Sequence, residues 1–182
     1  MTRNMLIAGF GGQGILFAGK FIAYTALLRG KEVSWLPSYG PEMRGGTANC
    51  SVIISDEPVG SPIVLCPDIL TALNLPSLDK YEEACAPGAE IFINSTLINR
   101  KGVRAGARFH YIPATKLADD AGIPKLANMV MVGAMIKRAE VCAWEDASGA
   151  MKKTVPERKK ELFDANLRAL EIGYNFDGSA VL

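Results

Sequence analysis

Two glycine-rich segments hold the residues whose types and spacing could do chemistry. The first, Gly9-Phe10-Gly11-Gly12-Gln13-Gly14, follows the apolar run Met5-Leu6-Ile7-Ala8 and opens the longer apolar stretch from Ile15 to Leu28. A strand therefore turns into a helix there. Gly9, Gly11 and Gly14 fit G-x-G-x-x-G spacing, in which missing Cβ atoms let the backbone turn tightly, approach a diphosphate and aim helix N-terminal amides at it. The second segment is Ser38-Tyr39-Gly40-Pro41-Glu42-Met43-Arg44-Gly45-Gly46. Arg44 could grip a carboxylate or phosphate bidentately, Tyr39 could stack or donate its hydroxyl, and Gly40, Gly45 and Gly46 free the backbone around Pro41. Equally, Glu42 and Arg44 could pair with charges across a subunit interface while the glycines only shape a loop. Gln13 could simply cap the first helix.

A nicotinamide or flavin site is the first reading of such a fingerprint, and two features count against it. A dinucleotide fold ends its second strand with an acidic residue about 20 positions on, to hold the ribose hydroxyls. Here the second strand, Glu32 to Leu36, runs into Pro37-Ser38-Tyr39, with no carboxylate before Glu42. Tandem Gly11-Gly12 followed by Gln13 is also unusual for that fingerprint.

The elements that must position these segments alternate between strand and helix, which predicts an α/β fold, Rossmann-like, with a mostly parallel sheet and helices on both faces. Strands are expected at Asn4–Ala8, Glu32–Leu36, Thr47–Ser55, Ile69–Leu73, Glu90–Asn94 and Arg108–Ile112. Helices are expected at Gln13–Arg29, Leu78–Cys85, Ala114–Ala121, Lys125–Val141 and Glu157–Ile172, the last bounded by Pro156 and Gly173. The helix from Gln13 and the stretch Ala127–Ile136 are apolar all round. Such helices are buried, either inside this chain or partly against another subunit. Small residues at Ala127, Gly133 and Ala134 permit close helix approach. The last helix has the charged and apolar faces of a surface helix.

Composition narrows the function classes. The 182 residues, 49% hydrophobic, suffice for one domain, 1–182, with a real core. Twenty basic against 19 acidic side chains leave no basic excess for nucleic acid. No run of about 18 apolar residues predicts a membrane span, and the immediate first strand leaves no room for a signal peptide, so a cytoplasmic protein is expected. The four cysteines, Cys50, Cys66, Cys85 and Cys142, lie far apart without a C-x-x-C pair, unlike iron–sulfur or structural zinc ligands. They are expected to be reduced thiols. The sole histidine, His110, sits in an alternating strand pattern and is not expected to be a catalytic base. No Ser-His-Asp, Cys-His or H-E-x-x-H arrangement is present to argue from. No catalytic or metal-ligating residue is therefore assigned, and the chain reads as a binding module.

Taken together, GFGGQGI, PSYGPEMRGGTANCSVIISD and Gly60-Ser61-Pro62 closely resemble the gamma subunit of the 2-oxoacid:ferredoxin oxidoreductases. The likeness continues through Ala72-Leu73-Asn74, Tyr81, Pro87-Gly88, Ile93-Asn94-Ser95, Ile112-Pro113-Ala114-Thr115 and Lys125–Val130, covering roughly Met5 to Ala139. The resemblance implies a heterotetrameric enzyme with alpha, beta and delta subunits. In it thiamine diphosphate with Mg, and [4Fe-4S] clusters, belong to companion chains; a 2-oxoacid such as 2-oxoglutarate or 2-oxoisovalerate is decarboxylated, ferredoxin takes the electrons and coenzyme A takes the acyl group. This chain would bind no cofactor alone and could self-associate when isolated. Gly9, Gly11, Gly12, Gln13, Gly14, Tyr39, Gly40, Glu42, Arg44, Gly45 and Gly46 become candidates for contacting coenzyme A or a partner subunit. A free-standing Rossmann-like nucleotide-binding protein is the alternative.

Overall fold

The alternation of apolar side chains in Met5-Leu6-Ile7-Ala8 places one set on each face of a strand, and both faces are covered. In the computed structural model, which describes residues 2–38, 47–156 and 158–178, this run lies inside β1 (Arg3–Phe10), where all four residues are buried. Five further strands complete a single sheet: β2 (Glu32–Ser38), β3 (Thr47–Ser55), β4 (Ile69–Ala72), β5 (Glu90–Asn94) and β6 (Arg108–Ile112). Their order is β2-β3-β1-β4-β5-β6. β1, β4, β5 and β6 are parallel, whereas β3 runs antiparallel to both β1 and β2. The α/β architecture is therefore the expected one, with a mixed sheet. β2 points the same way as β1 but is not its neighbour, because β3 is inserted between them.

Helices cover the two faces unequally. Met5, Ile7, Cys50, Val52, Ile69, Phe92 and Ile112 pack into one large core with α1 (Ile15–Leu28), α3 (Ala114–Asp120), α4 (Ala127–Ala139), α5 (Asp146–Thr154) and α6 (Lys160–Tyr174). On the opposite face Leu6, Leu70, Ala72, Ile91 and Ile93 meet Leu78 of α2 (Leu75–Tyr81), Cys85 and Ile98. Each fully buried side chain of this size contributes about 1.5–3 kcal/mol from leaving water.

The helix from Gln13 is apolar on all sides because five elements of this same chain surround it. β1, β2 and β3 lie beneath it, α4 touches it, and α5, a helix not among those expected from the sequence, covers it from outside. Phe21 and Ile22 are consequently fully buried, while Leu27 and Leu28 near its end remain exposed. α5 escaped the reading because Asp146-Ala147-Ser148-Gly149 is short, polar and carries a helix-weakening glycine. Gly149 stands close to Leu28, where an added Cβ would come within 3.2 Å of Cδ1.

Gly173 does not stop the last helix. It lies inside α6, where an added Cβ would be 1.8 Å from the Val130 carbonyl oxygen, and at Gly133 of α4 it would be 2.1 Å from that of Leu170. These glycines let two backbones cross in near contact, so the close approach expected at Gly133 is made within the chain. α2 begins three residues earlier than expected, at Leu75, because Asn74 caps it: its Oδ1 accepts from Ser77 N at 2.9 Å. Among the described residues no helix is long and apolar enough to cross a membrane.

Candidate functional site

The turn after β1 is shaped by its glycines. Gln13 N donates to Phe10 O (3.2 Å), Gly12 has φ +91°, and Gly14 has φ +72°, both left-handed conformations that favour glycine. Gly14 O accepts the first bond of α1, from Ala18 N at 3.0 Å. No side chain caps this helix, so its leading N–H groups are left for other acceptors.

Gln13 is therefore not a helix cap. Its Oε1 accepts from Phe10 N (2.6 Å) and from Asn74 Nδ2 (3.3 Å), and its Nε2 donates to Leu73 O (3.4 Å). One side chain thus ties the glycine turn to the end of β4 and to the capping residue of α2. Gly9 makes room for it, since an added Cβ would sit 2.6 Å from Gln13 Oε1 and 3.0 Å from Leu73 Cβ. Gly14 plays the same part for Asn128, which donates from Nδ2 to Gly14 O at 2.9 Å. An added Cβ at Gly14 would be 2.4 Å from that nitrogen.

Asn94 continues the row of amides at the carboxyl ends of the strands. It closes β5, donates from Nδ2 to Thr115 Oγ1 (2.9 Å) and accepts from Thr115 N (3.3 Å). Gln13, Asn74, Asn94 and Asn128 thus stand at the same edge. Asn74, Asn94 and Asn128 were not among the candidates read from the sequence. Each stands where an apolar run ends or a helix begins, which was the available signal.

Two open cavities flank the turn. One, of about 220 Å³, lies on the β4 side, walled by Gly12, Gln13, Asn94, Thr115, Lys125 and Asn128 among others. The other, of about 240 Å³, lies on the β3 side and is lined mainly by Phe10, Ile15, Leu16, Phe17 and Ala48 beside the glycines. Neither is lined by an acidic side chain among the described residues. The first sits between β1, whose chain continues to β2 on one side, and β4, whose chain continues to β5 on the other. Ligands of open α/β sheets bind at such a switch point, outside the carboxyl ends of the strands.

The five candidates from Gly9 to Gly14 are thus brought into one turn. Tyr39, Gly40, Glu42, Arg44, Gly45 and Gly46 lie outside the described residues. Ser38 pairs with Asn49 and Thr47 with Phe10, so the residues flanking that segment stand at the edge where the turn is.

The cysteines do not converge. Cys50 lies in the main core and Cys85 in the smaller one, burial pushing both thiols up to about 12, while Cys142 is raised to about 11 by burial and Cys66 is exposed. Such a set does not fit an iron–sulfur cluster, which needs thiolates within reach of one another. His110 lies in β6, 2.5 Å from Glu90 Oε2 and stacked on Phe92, away from the glycine turn.

The pyruvate ferredoxin/flavodoxin oxidoreductase family model matches residues 4–176. The chain belongs to this family. Within the family it is 42% identical over 92% of its length to ketoisovalerate oxidoreductase subunit VorA of Methanothermobacter thermautotrophicus, of which it spans 35%, about a third. It is 35% identical to 2-oxoglutarate synthase subunit KorC of Methanocaldococcus jannaschii, covering 96% of this chain and 93% of that one. The crystal structure of the keto/oxoacid ferredoxin oxidoreductase gamma subunit from Geobacter sulfurreducens superposes with a TM-score of 0.80 at 30% identity, covering 94% of this chain and 96% of that one.

Proposed function

We propose that this chain is the single-domain gamma subunit of a cytoplasmic 2-oxoacid:ferredoxin oxidoreductase, which converts a 2-oxoacid, 2-oxoglutarate or 2-oxoisovalerate, to its acyl-CoA while reducing ferredoxin. The supporting observation is similarity to a gamma subunit of nearly the same length across almost the whole of both chains. Alpha, beta and delta subunits supply thiamine diphosphate, Mg and the clusters. Thiamine diphosphate provides the carbanion chemistry of decarboxylation when bound there. The present chain contributes a binding surface. Its glycine turn offers the uncapped amides of α1 to an anion, and the segment from Tyr39 to Gly46 completes that site with the Arg44 guanidinium on a phosphate of coenzyme A.

Reconstitution tests the assignment. Ferredoxin reduction by alpha, beta and delta subunits is expected to require this chain, and this chain alone is expected to give none. Activity of the other subunits without it, or its purification without companions from its own cells, would favour the free-standing alternative. For the site, Arg44→Ala is expected to raise the Michaelis constant for coenzyme A about tenfold or more, as for loss of a charge-assisted contact of about 1.5–3 kcal/mol, with the complex intact. Dissociation of the complex instead would make Arg44 an interface residue.

A further inference from the structure

We infer that the corner where α5 ends and α6 begins is a docking surface for a companion subunit that presents clustered carboxylates around an apolar side chain. This inference rests on the reading of the chain as one subunit of a larger enzyme, and concerns a surface other than the glycine turn.

Residues 152–160 carry five of the chain's 20 basic side chains, Lys152, Lys153, Arg158, Lys159 and Lys160, and one of its 19 acidic ones, so the rest of the chain is acidic on balance. All five cations are exposed, and none pairs with an acidic side chain among the described residues. Lys152 and Lys153 suit their place, because the last turn of α5 ends in carbonyls that attract cations. The other three do not suit theirs. Arg158 precedes α6, Lys159 occupies its cap position without a capping side chain, and Lys160 opens the helix, so three cations crowd the positive end of its dipole, with Glu161 the one acid in the first turn. That arrangement costs the free chain stability, and a carboxylate face brought by another protein would offset it.

Between the cations lies an open groove of about 300 Å³, lined by Lys152, Val155, Pro156, Lys160, Phe163 and Asp164. Val155 is buried and Phe163 packs half-buried against the main core, so the floor of the groove is apolar and anchored. It has room for one large side chain, while the charges around it set the sign of the partner. A small anion would meet only the nearest cations and leave the apolar floor bare. An anionic bilayer needs apolar side chains to enter it, and Leu162, 40% exposed, is the one large exposed hydrophobic residue of α5 and α6. An acidic protein face with a protruding apolar side chain uses both features of the corner.

The test compares wild type with a variant combining Arg158→Glu, Lys159→Glu and Lys160→Glu. Binding of the full chain to co-expressed alpha, beta and delta subunits is followed by biolayer interferometry at low and at high KCl, and the melting temperature of each free chain by calorimetry. At low salt the variant is expected to bind about tenfold or more weakly than wild type, with the salt dependence reduced. Its melting temperature should nevertheless rise by roughly 1–4 °C, because acids now stand at the start of α6. A patch with a merely structural role would not lose binding while gaining stability. Lys80→Glu with Lys101→Glu reverses two exposed cations elsewhere on the chain and should leave binding unchanged. Equal affinity of the triple variant and wild type, or an equal loss in this control, overturns the docking surface and leaves the subunit assignment standing. A fall in the melting temperature of the triple variant overturns it as well, since damage to α6 then accounts for the lost binding. If wild type binds the companions at neither salt concentration, the assignment and the inference both fall. Sedimentation with phosphatidylcholine vesicles containing phosphatidylserine is the last arm: binding by wild type that the triple variant lacks would assign the corner to a membrane surface and overturn the docking of a subunit there.

Discussion

The two edges of the sheet are built from different chemistry. At the amino edge, where β1, β4, β5 and β6 begin, charges are paired. Arg3 donates to Ala139 O (2.5 Å) and Glu140 O (3.0 Å), Asn4 N donates to Asp68 Oδ2 (2.8 Å), Lys31 pairs with Asp56, Arg29 with Asp146 (2.7 Å), and Glu90 with both Arg108 and His110. Around the glycine turn at the carboxyl edge the side chains that fix the geometry are amides and the Thr115 hydroxyl, and among the described residues the two cavities there are lined by one cation, Lys125, and no acid. An edge that only has to be stable can neutralise its charges internally. One that receives a charged ligand keeps the compensating charge for the ligand, and amides fix geometry without competing for it.

The comparison breaks most sharply at Gly14. Gly14→Ala forces an L-residue to φ +72° and drives a methyl against Asn128, so a loss of about 3 kcal/mol or more is expected, lowering the melting temperature by roughly 6–12 °C. Gly12→Ala carries the strain alone, because nothing lies within 4 Å of its Cβ. About 1–2 kcal/mol is expected there. Calorimetry of the two variants would sink the idea of a turn braced by Asn128 if both cost the same.

Gln13→Ala is expected to cost about 1–3 kcal/mol, because the Phe10 N–H loses its acceptor and Leu73 O its donor. It should also weaken phosphate binding, since the turn is then no longer tied to β4. Arg3→Ala is the matching change at the amino edge. It removes the donors that satisfy the carbonyls at the end of α4, where Glu140 sits at φ 48°, and should cost about 1–2 kcal/mol without altering phosphate binding. Urea denaturation alongside phosphate titration separates the two. Equal effects of both variants on binding would erase the distinction between the edges.

Much of this was legible in the sequence. The strand bounds at β3, β5 and β6 follow directly from apolar alternation between turn signals, and the glycine turn from its spacing. The sheet order was not legible, because alternation identifies a strand without naming its neighbour, and so the insertion of β3 between β1 and β2 went unseen. Gly173 was misread for a related reason: a glycine that permits contact with Val130 and one that ends a helix look alike until the partner helix is placed. At the site, the glycines and Gln13 were found and the three asparagines were not. Asn74, Asn94 and Asn128 come from three distant stretches, and only the fold brings them to one edge.

The smallest expected effect concerns acid. Burial pushes the Glu90 carboxyl up, yet hydrogen bonds from Arg108 and His110 more than offset this and hold it below the ordinary carboxylate range; the Lys31 ammonium holds Asp56 down to about 2. A carboxyl group with a depressed folded pKa contributes stability that is complete above its unfolded value, about 4, and is lost as pH falls through the folded value. The amino edge should therefore loosen between about pH 4 and 2, whereas neither cavity at the carboxyl edge is lined by an acid that would titrate there. Glu90→Gln removes one such group, so the fall in unfolding free energy from pH 7 to pH 3, read from urea titrations, should be smaller than in wild type by under about 1 kcal/mol for a pair near the surface. Lys125→Ala should leave that slope unchanged. If Lys125→Ala alters the acid dependence as much as Glu90→Gln does, acid sensitivity is not confined to the edge where the carboxylates are paired.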